Sequence, residues 1–168
     1  MIKRIYLSLA AIFLITFLNA QETTVYTEAD RAFKHGEELL ANGLFSQAQG
    51  EFENAVNILL PVNESANDQL LAKAEFYYAK CAVLMELPDG EKLMLDFIRK
   101  HSPDIVHTHL MKSDRVGLPG AWLAGVRKRY CTIHNMEPAS IRDKHDSVTR
   151  KITSLFATKL IAVSESAK

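Results

Sequence analysis

FIRKHSPDIVHTHL, residues 97–110, is the stretch on which the reading of this chain turns. Before it, apolar residues recur at the three- and four-residue spacing of helices. After it, short β-branched runs alternate with helical patterns, the signature of strands joined by crossover helices. Charge changes at the same place. Residues 21–102 hold 14 acids against 7 Lys/Arg, a balance of −7, whereas residues 103–168 hold 6 acids against 11, a balance of +5. Such a split suggests two units; a basic second half suits a phosphate-bearing ligand, but charge alone reads first as a solvated mixed surface. With 48% hydrophobic and 24% charged residues the composition is globular, which excludes a disordered tail or a collagen-like repeat.

Residues 1–20 read as a secretory signal peptide. Lys3 and Arg4 precede an apolar run from Ile5 to Leu18, and Asn19-Ala20-Gln21 offers a small residue for cleavage. That run is shorter than the roughly 20 residues a membrane span needs, so no stable transmembrane segment is expected. The expected location is periplasmic or secreted. Cys81 and Cys131 each sit in an apolar run and read as buried free thiols.

From residue 21 to 102 four helices are expected. Thr27-Glu28-Ala29-Asp30 reads as a first N-terminus, with Thr27 as cap. Gly43 ends that helix, and a second with Phe45, Ala48, Phe52, Ala55, Val56 and Leu59 on one side stops near Pro61. Leu70, Leu71, Ala74, Tyr77, Tyr78, Cys81, Ala82 and Met85 mark a third. Pro88-Asp89-Gly90 breaks it, and Leu93, Met94, Phe97 and Ile98 mark a fourth. The mutual spacing of Gly36, Gly43, Phe45, Ala48, Phe52 and Ala55 resembles a tetratricopeptide repeat (TPR), and the YYAKCA…LDFIRK wording is similar to exported helical-repeat proteins of Gram-negative bacteria. The resemblance implies a protein partner held by stacked helical hairpins. Tyr77 and Tyr78 read as packing residues. The second hairpin lacks a small residue near Leu93.

From 103 to 168 the pattern is strand (Asp104–His109), helix, strand (Arg129–His134), helix (Ser140–Ala157, with Ile141, Val148, Ile152, Leu155 and Phe156 on one face), strand (Lys159–Val163). Pro119 fits a helix interior poorly, so the first of these helices is placed at Pro119–Ala124. Such an alternation predicts a parallel sheet with right-handed crossovers. Polar residues gather at the three strand ends: His107-Thr108-His109, then Thr132-Ile133-His134-Asn135, then Ser164-Glu165. In an open parallel sheet those ends share one edge, where such folds bind ligands.

PDIVHTHL, LAGVRKRYCTIHN and TKLIAVSESAK, in this order, resemble the N-terminal domain of family 4 glycosyltransferases. The resemblance implies the acceptor-side half of a GT-B fold, a Rossmann-like sheet. By it, His134 is the catalytic candidate lining the cleft, and His107, His109, Asn135, Ser164 and Glu165 are the candidate substrate-binding residues for a sugar acceptor. A nucleotide-sugar donor is expected only with the family's second domain, and no bound cofactor otherwise. The family's glycine-rich phosphate loop is replaced here by the helical segment. Without donor-side groups to stabilise the departing phosphate, the chain is expected to be inactive alone.

Other constellations carry less. Zinc wants three or four ligands, and His107 and His109 have only His134 as a third, so no metal is expected. Cys131 with His134 lacks an orienting third group. Gly117-Leu118-Pro119-Gly120 lacks the lysine of a phosphate loop. Arg127-Lys128-Arg129 has no interleaved aromatics and reads as the solvated approach to a strand, not as a nucleic-acid surface.

The fold class expected is thus mixed: TPR-like α-helical hairpins followed by a partial Rossmann-like parallel sheet, with boundaries 1–20, 21–102 and 103–168. Three functional readings stay open. The chain is a partial glycosyltransferase with a helical appendage, an exported repeat scaffold whose C-terminal third is incidental, or two unrelated pieces joined at Ser102-Pro103-Asp104. A signal peptide and a cytoplasmic nucleotide-sugar enzyme conflict, so location discriminates between the first two.

Overall fold

Residues 24–62, 69–109, 111–133 and 151–162 are described by the computed structural model. Among them are α1 (24–41), α2 (Phe45–Leu59), α3 (Gln69–Leu84), α4 (Gly90–His101), β1 (Ile105–His109), α5 (Met111–Leu123), β2 (Lys128–Ile133), α6 (helical over the described residues 151–154) and β3 (Lys159–Ala162); residues 140–150 of the helix expected over Ser140–Ala157 lie outside the described residues. The class is mixed α/β, helices first and a three-stranded sheet second. The chain divides into two compact units, Met1–Cys81 and Ala82–Lys168. This division falls inside α3, earlier than the change in charge and periodicity.

The first unit is built on aromatic packing. Phe52 is fully buried, with its ring centroid 5.4 Å from Phe33 and 5.1 Å from Tyr77, and Phe33 meets Tyr77 edge-on at 5.5 Å. Such pairs add about 0.5–1.5 kcal/mol each to area burial. Small residues make the trio possible: a Cβ on Gly36 would sit 2.8 Å from the Phe52 ring. Ala29, Leu59 and Leu71 form a second buried group, with Tyr26, Val56, Ile58 and Leu70 against it. Tyr77 is therefore a packing residue, as its helical spacing predicts. Gly43, at φ 77°, closes α1 in the left-handed conformation that glycine adopts at little cost. Thr27 does not cap α1, which is helical from residue 24 on; the acids of that turn lie within the helix.

In the second unit, α4 packs against α5. Ile98, Ala121 and Val126 are buried together, with Met94, Phe97, Val106 and Ala124 around them. The small residue missing near Leu93 is supplied one turn earlier: a Cβ on Gly90 would meet the Ala82 carbonyl carbon at 2.9 Å, so the start of α4 abuts the end of α3. Ser102 ends α4 in the left-handed conformation (φ 43°), its backbone N–H donating to the Ile98 carbonyl at 2.9 Å.

Helix α5 is longer than Pro119 predicts. It runs from Met111 to Leu123 with the proline inside. A proline there forfeits one backbone hydrogen bond. Tertiary packing outweighs that loss, because Leu118 and Ala121 on either side are fully buried. Gly117 lets α5 lie directly on β1, since a Cβ there would come 2.7 Å from the Thr108 methyl.

The sheet has the order β1–β2–β3 with both pairings parallel. His107 pairs with Tyr130 and His109 with Thr132; Tyr130 pairs in turn with Lys159, and Thr132 with Ile161. Thr158 fixes the start of β3: its hydroxyl accepts from the Arg129 N–H at 2.9 Å and donates to the Arg129 carbonyl at 2.9 Å. The Arg129 guanidinium donates to the carbonyls of Phe156, at 2.5 Å, and of Val126. Arg129 is thus a tie between loops, whereas Arg127 and Lys128 are exposed as the sequence reading has it. Ile152 and Leu155, expected on an inward face, are 53% and 80% exposed; Thr153, 6% exposed, is the residue this stretch buries. Both cysteines are buried and free, and burial pushes the Cys81 thiol pKa up.

Candidate functional site

Strand alternation sorts the second unit's side chains onto two sheet faces. Val106 and Thr108 of β1 face α4 and α5, Val106 within their apolar cluster and Thr108 under Gly117. Ile105, His107 and His109 face the opposite way, together with their register partners Lys128, Tyr130 and Thr132, and with Lys159 and Ile161 of β3. IVHTH, KRYCTI and KLIA contain no acid, so the described sheet carries only neutral and cationic side chains.

On that opposite face the rings of His107 and His109 are 4.2 Å apart between centroids, tilted by 41°. The His107 ring stands nearly perpendicular to Tyr130, 6.3 Å away. His107 Nε2 is hydrogen-bonded to the Thr132 hydroxyl at 2.7 Å. Thr132 is only 5% exposed, while both imidazoles are exposed. A buried hydroxyl therefore orients an exposed ring. On the other face the Thr108 hydroxyl donates to the Tyr130 carbonyl at 3.4 Å, and at the strand end the Ser113 hydroxyl donates to the His109 carbonyl, which ties the start of α5 to the end of β1.

Of the six site residues read from the sequence, the structure places His107 and His109 side by side on one face at the end of β1. His134, Asn135, Ser164 and Glu165 lie outside the described residues. Two residues at this face were not among the six. Thr132, read from sequence only as a polar residue at a strand end, bonds to the His107 ring, and Tyr130 flanks it. The pairing of β1 with β2 sets His107 diagonally opposite Thr132, a register that the sequence does not show. Asp114, in the first turn of α5, has a buried Oδ1 with no hydrogen-bond partner among the described residues.

Among the described residues no group of three or more His, Cys, Asp or Glu is arranged to hold a metal, and no helix is long and apolar enough to cross a membrane. Comparison of the chain with known protein families, with curated proteins and with solved structures finds no match.

Proposed function

We propose that residues 103–168 are the acceptor-side part of a family 4-like glycosyltransferase domain of GT-B type, attached to a TPR-like helical module. What supports this reading is one arrangement: three adjacent co-directional strands, the first of which ends in two imidazoles backed by the Thr132 hydroxyl. Imidazole, phenol and hydroxyl groups on a sheet face with no carboxylate among its described strand residues can donate to and accept from the hydroxyls of a sugar acceptor. In this reading His107 and His109 bind the acceptor, with Asn135, Ser164 and Glu165, and His134 is the histidine that lines the cleft. The nucleotide-sugar donor is the business of a second domain, so these residues alone turn nothing over.

The test has two arms. Titration with mono- and disaccharides, followed through the imidazole proton resonances, should shift His107 and His109 while leaving His35 in place. No shift at either ring with any sugar overturns acceptor binding. Incubation with nucleotide sugars should release no nucleoside diphosphate above buffer background, and turnover would overturn the assignment to the acceptor side alone.

The second reading is an exported helical-repeat scaffold that binds a protein partner. The aromatic trio of Phe33, Phe52 and Tyr77 closed over Gly36 favours it, being the small-against-aromatic packing that stacked helical hairpins use. Cell fractionation separates the two. A periplasmic product processed near Gln21 supports the scaffold, and an unprocessed cytoplasmic one supports the transferase.

A further inference from the structure

We propose that His107 and His109 form a two-imidazole site for a late divalent transition-metal ion, with water completing the coordination. The inference is independent of the carbohydrate reading, because it rests on ring geometry and is measured with no sugar present.

Alternate residues of a strand lie about 6.6–6.8 Å apart along the backbone. The rings of His107 and His109 are 4.2 Å apart, so both side chains lean inward to meet. An ion bound at about 2.0–2.1 Å by each nitrogen lies about 3.2 Å from each ring centre, which for a right angle between the two bonds at the ion puts the centroids about 4.5 Å apart. The observed spacing is close to that value before any ion is added. Neutral imidazole is the form that ligates metal.

Thr132 supplies the second requirement. A ligating histidine commonly donates its other ring N–H to a fixed acceptor, which sets the tautomer and the ring angle. In the tautomer whose Nε2–H donates to the buried Thr132 hydroxyl, Nδ1 of His107 keeps the lone pair and is the ligating atom. A structural zinc site needs three or four protein ligands, and this site offers two. It is therefore an exchangeable surface site that ranks ions by nitrogen affinity: Cu2+ first, Ni2+ and Zn2+ behind, and the oxygen-seeking Mg2+ not at all.

The test uses the full chain without a polyhistidine tag. Titration with Cu2+ by calorimetry should give one site per chain, and the electron paramagnetic resonance spectrum should show two equivalent nitrogen ligands. His107→Ala and His109→Ala should each weaken binding at least about tenfold, with His107→Gln and His109→Gln as substitutes should an alanine variant fail to fold. Thr132→Val should weaken it roughly 10-fold, at the lower end of what loss of an outer partner costs, and Thr132→Ser should restore it. His35→Ala, whose ring pairs with Glu51 at 3.1 Å, and His101→Ala should leave binding unchanged. The proposal is overturned if His107→Ala binds like the parent chain, if Mg2+ competes, or if His35→Ala or His101→Ala loses the ion. It is equally overturned if His134→Ala costs as much as His107→Ala, since a different ligand set would then hold the metal.

Discussion

The two units of this chain solve the problem of burial differently. In the first, aromatic rings and small residues close on one another: Phe52, Ala48, Ala55 and Leu59 of α2 are all fully buried. In the second, α4 and α5 cover one face of a parallel sheet, while the other face presents two imidazoles, a phenol and two ammonium groups. Parallel sheets are ordinarily apolar on both faces because both are packed. A strand reading I-V-H-T-H is apolar on neither side throughout, and Ile105, His107 and His109 on its polar side are exposed. The contrast places the buried aromatic packing in the helical unit and exposed imidazoles on one sheet face of the second.

The largest effect should come from cutting into the aromatic trio. Phe52→Ala removes a side chain with no exposure that touches Phe33 and Tyr77, and should cost about 3–5 kcal/mol in chemical denaturation. Far-UV circular dichroism reports this loss, and the fluorescence of Trp122 in α5 reports the second unit separately. A cost below about 1 kcal/mol would break the claim that the helical unit is held by this trio.

A smaller effect tests how the second unit covers its inner face. Gly117→Ala places a methyl 2.7 Å from the Thr108 methyl and should destabilise by about 1–3 kcal/mol, despite alanine's better helix propensity. Gly50→Ala in α2 is the control. Nothing lies within 4 Å of its added Cβ, so that variant should gain about 0.4–1 kcal/mol. If the two substitutions had the same sign, α5 would not be resting on β1 through Gly117.

The smallest effect concerns the helical surface. Lys34 donates to Asp30 at 2.6 Å, and that hydrogen bond, with the attraction between the charges, raises the ammonium pKa above 10.5. A raised lysine contributes below its unfolded pKa, and the contribution is lost as pH climbs through the folded value. Both side chains are largely exposed, so screening keeps the effect small. Thermal unfolding of Asp30→Asn and parent chains should differ slightly near neutral pH and converge once the pH has climbed past the raised lysine pKa. A difference that widened with pH would reverse the sign and refute the pairing.

Much of this architecture was legible in the residues. The spacing of Ala48, Phe52, Ala55 and Leu59 foretold the buried side of α2, and the β-branched run before His109 foretold β1. The Pro119 rule misplaced the start of α5, because a proline's local penalty says nothing of the burial of Leu118 and Ala121 that offsets it. Ile152 and Leu155 match a helical stripe but are exposed, since a stripe shows which residues share a side and not whether anything covers that side. The imidazole pair was visible as HTH, whereas the Thr132 hydroxyl behind it was not.

By itself the sequence determined periodicity, the change of charge, and the gathering of histidines at a strand end, because these are properties of neighbours along the chain. Only the tertiary structure decided that α4 packs with the sheet unit, that Gly36, Gly90 and Gly117 mark close approaches, and that Thr132 lies under His107. Each of those depends on the register between segments distant in sequence. Packing of whole surfaces fixes that register, and no local propensity encodes it.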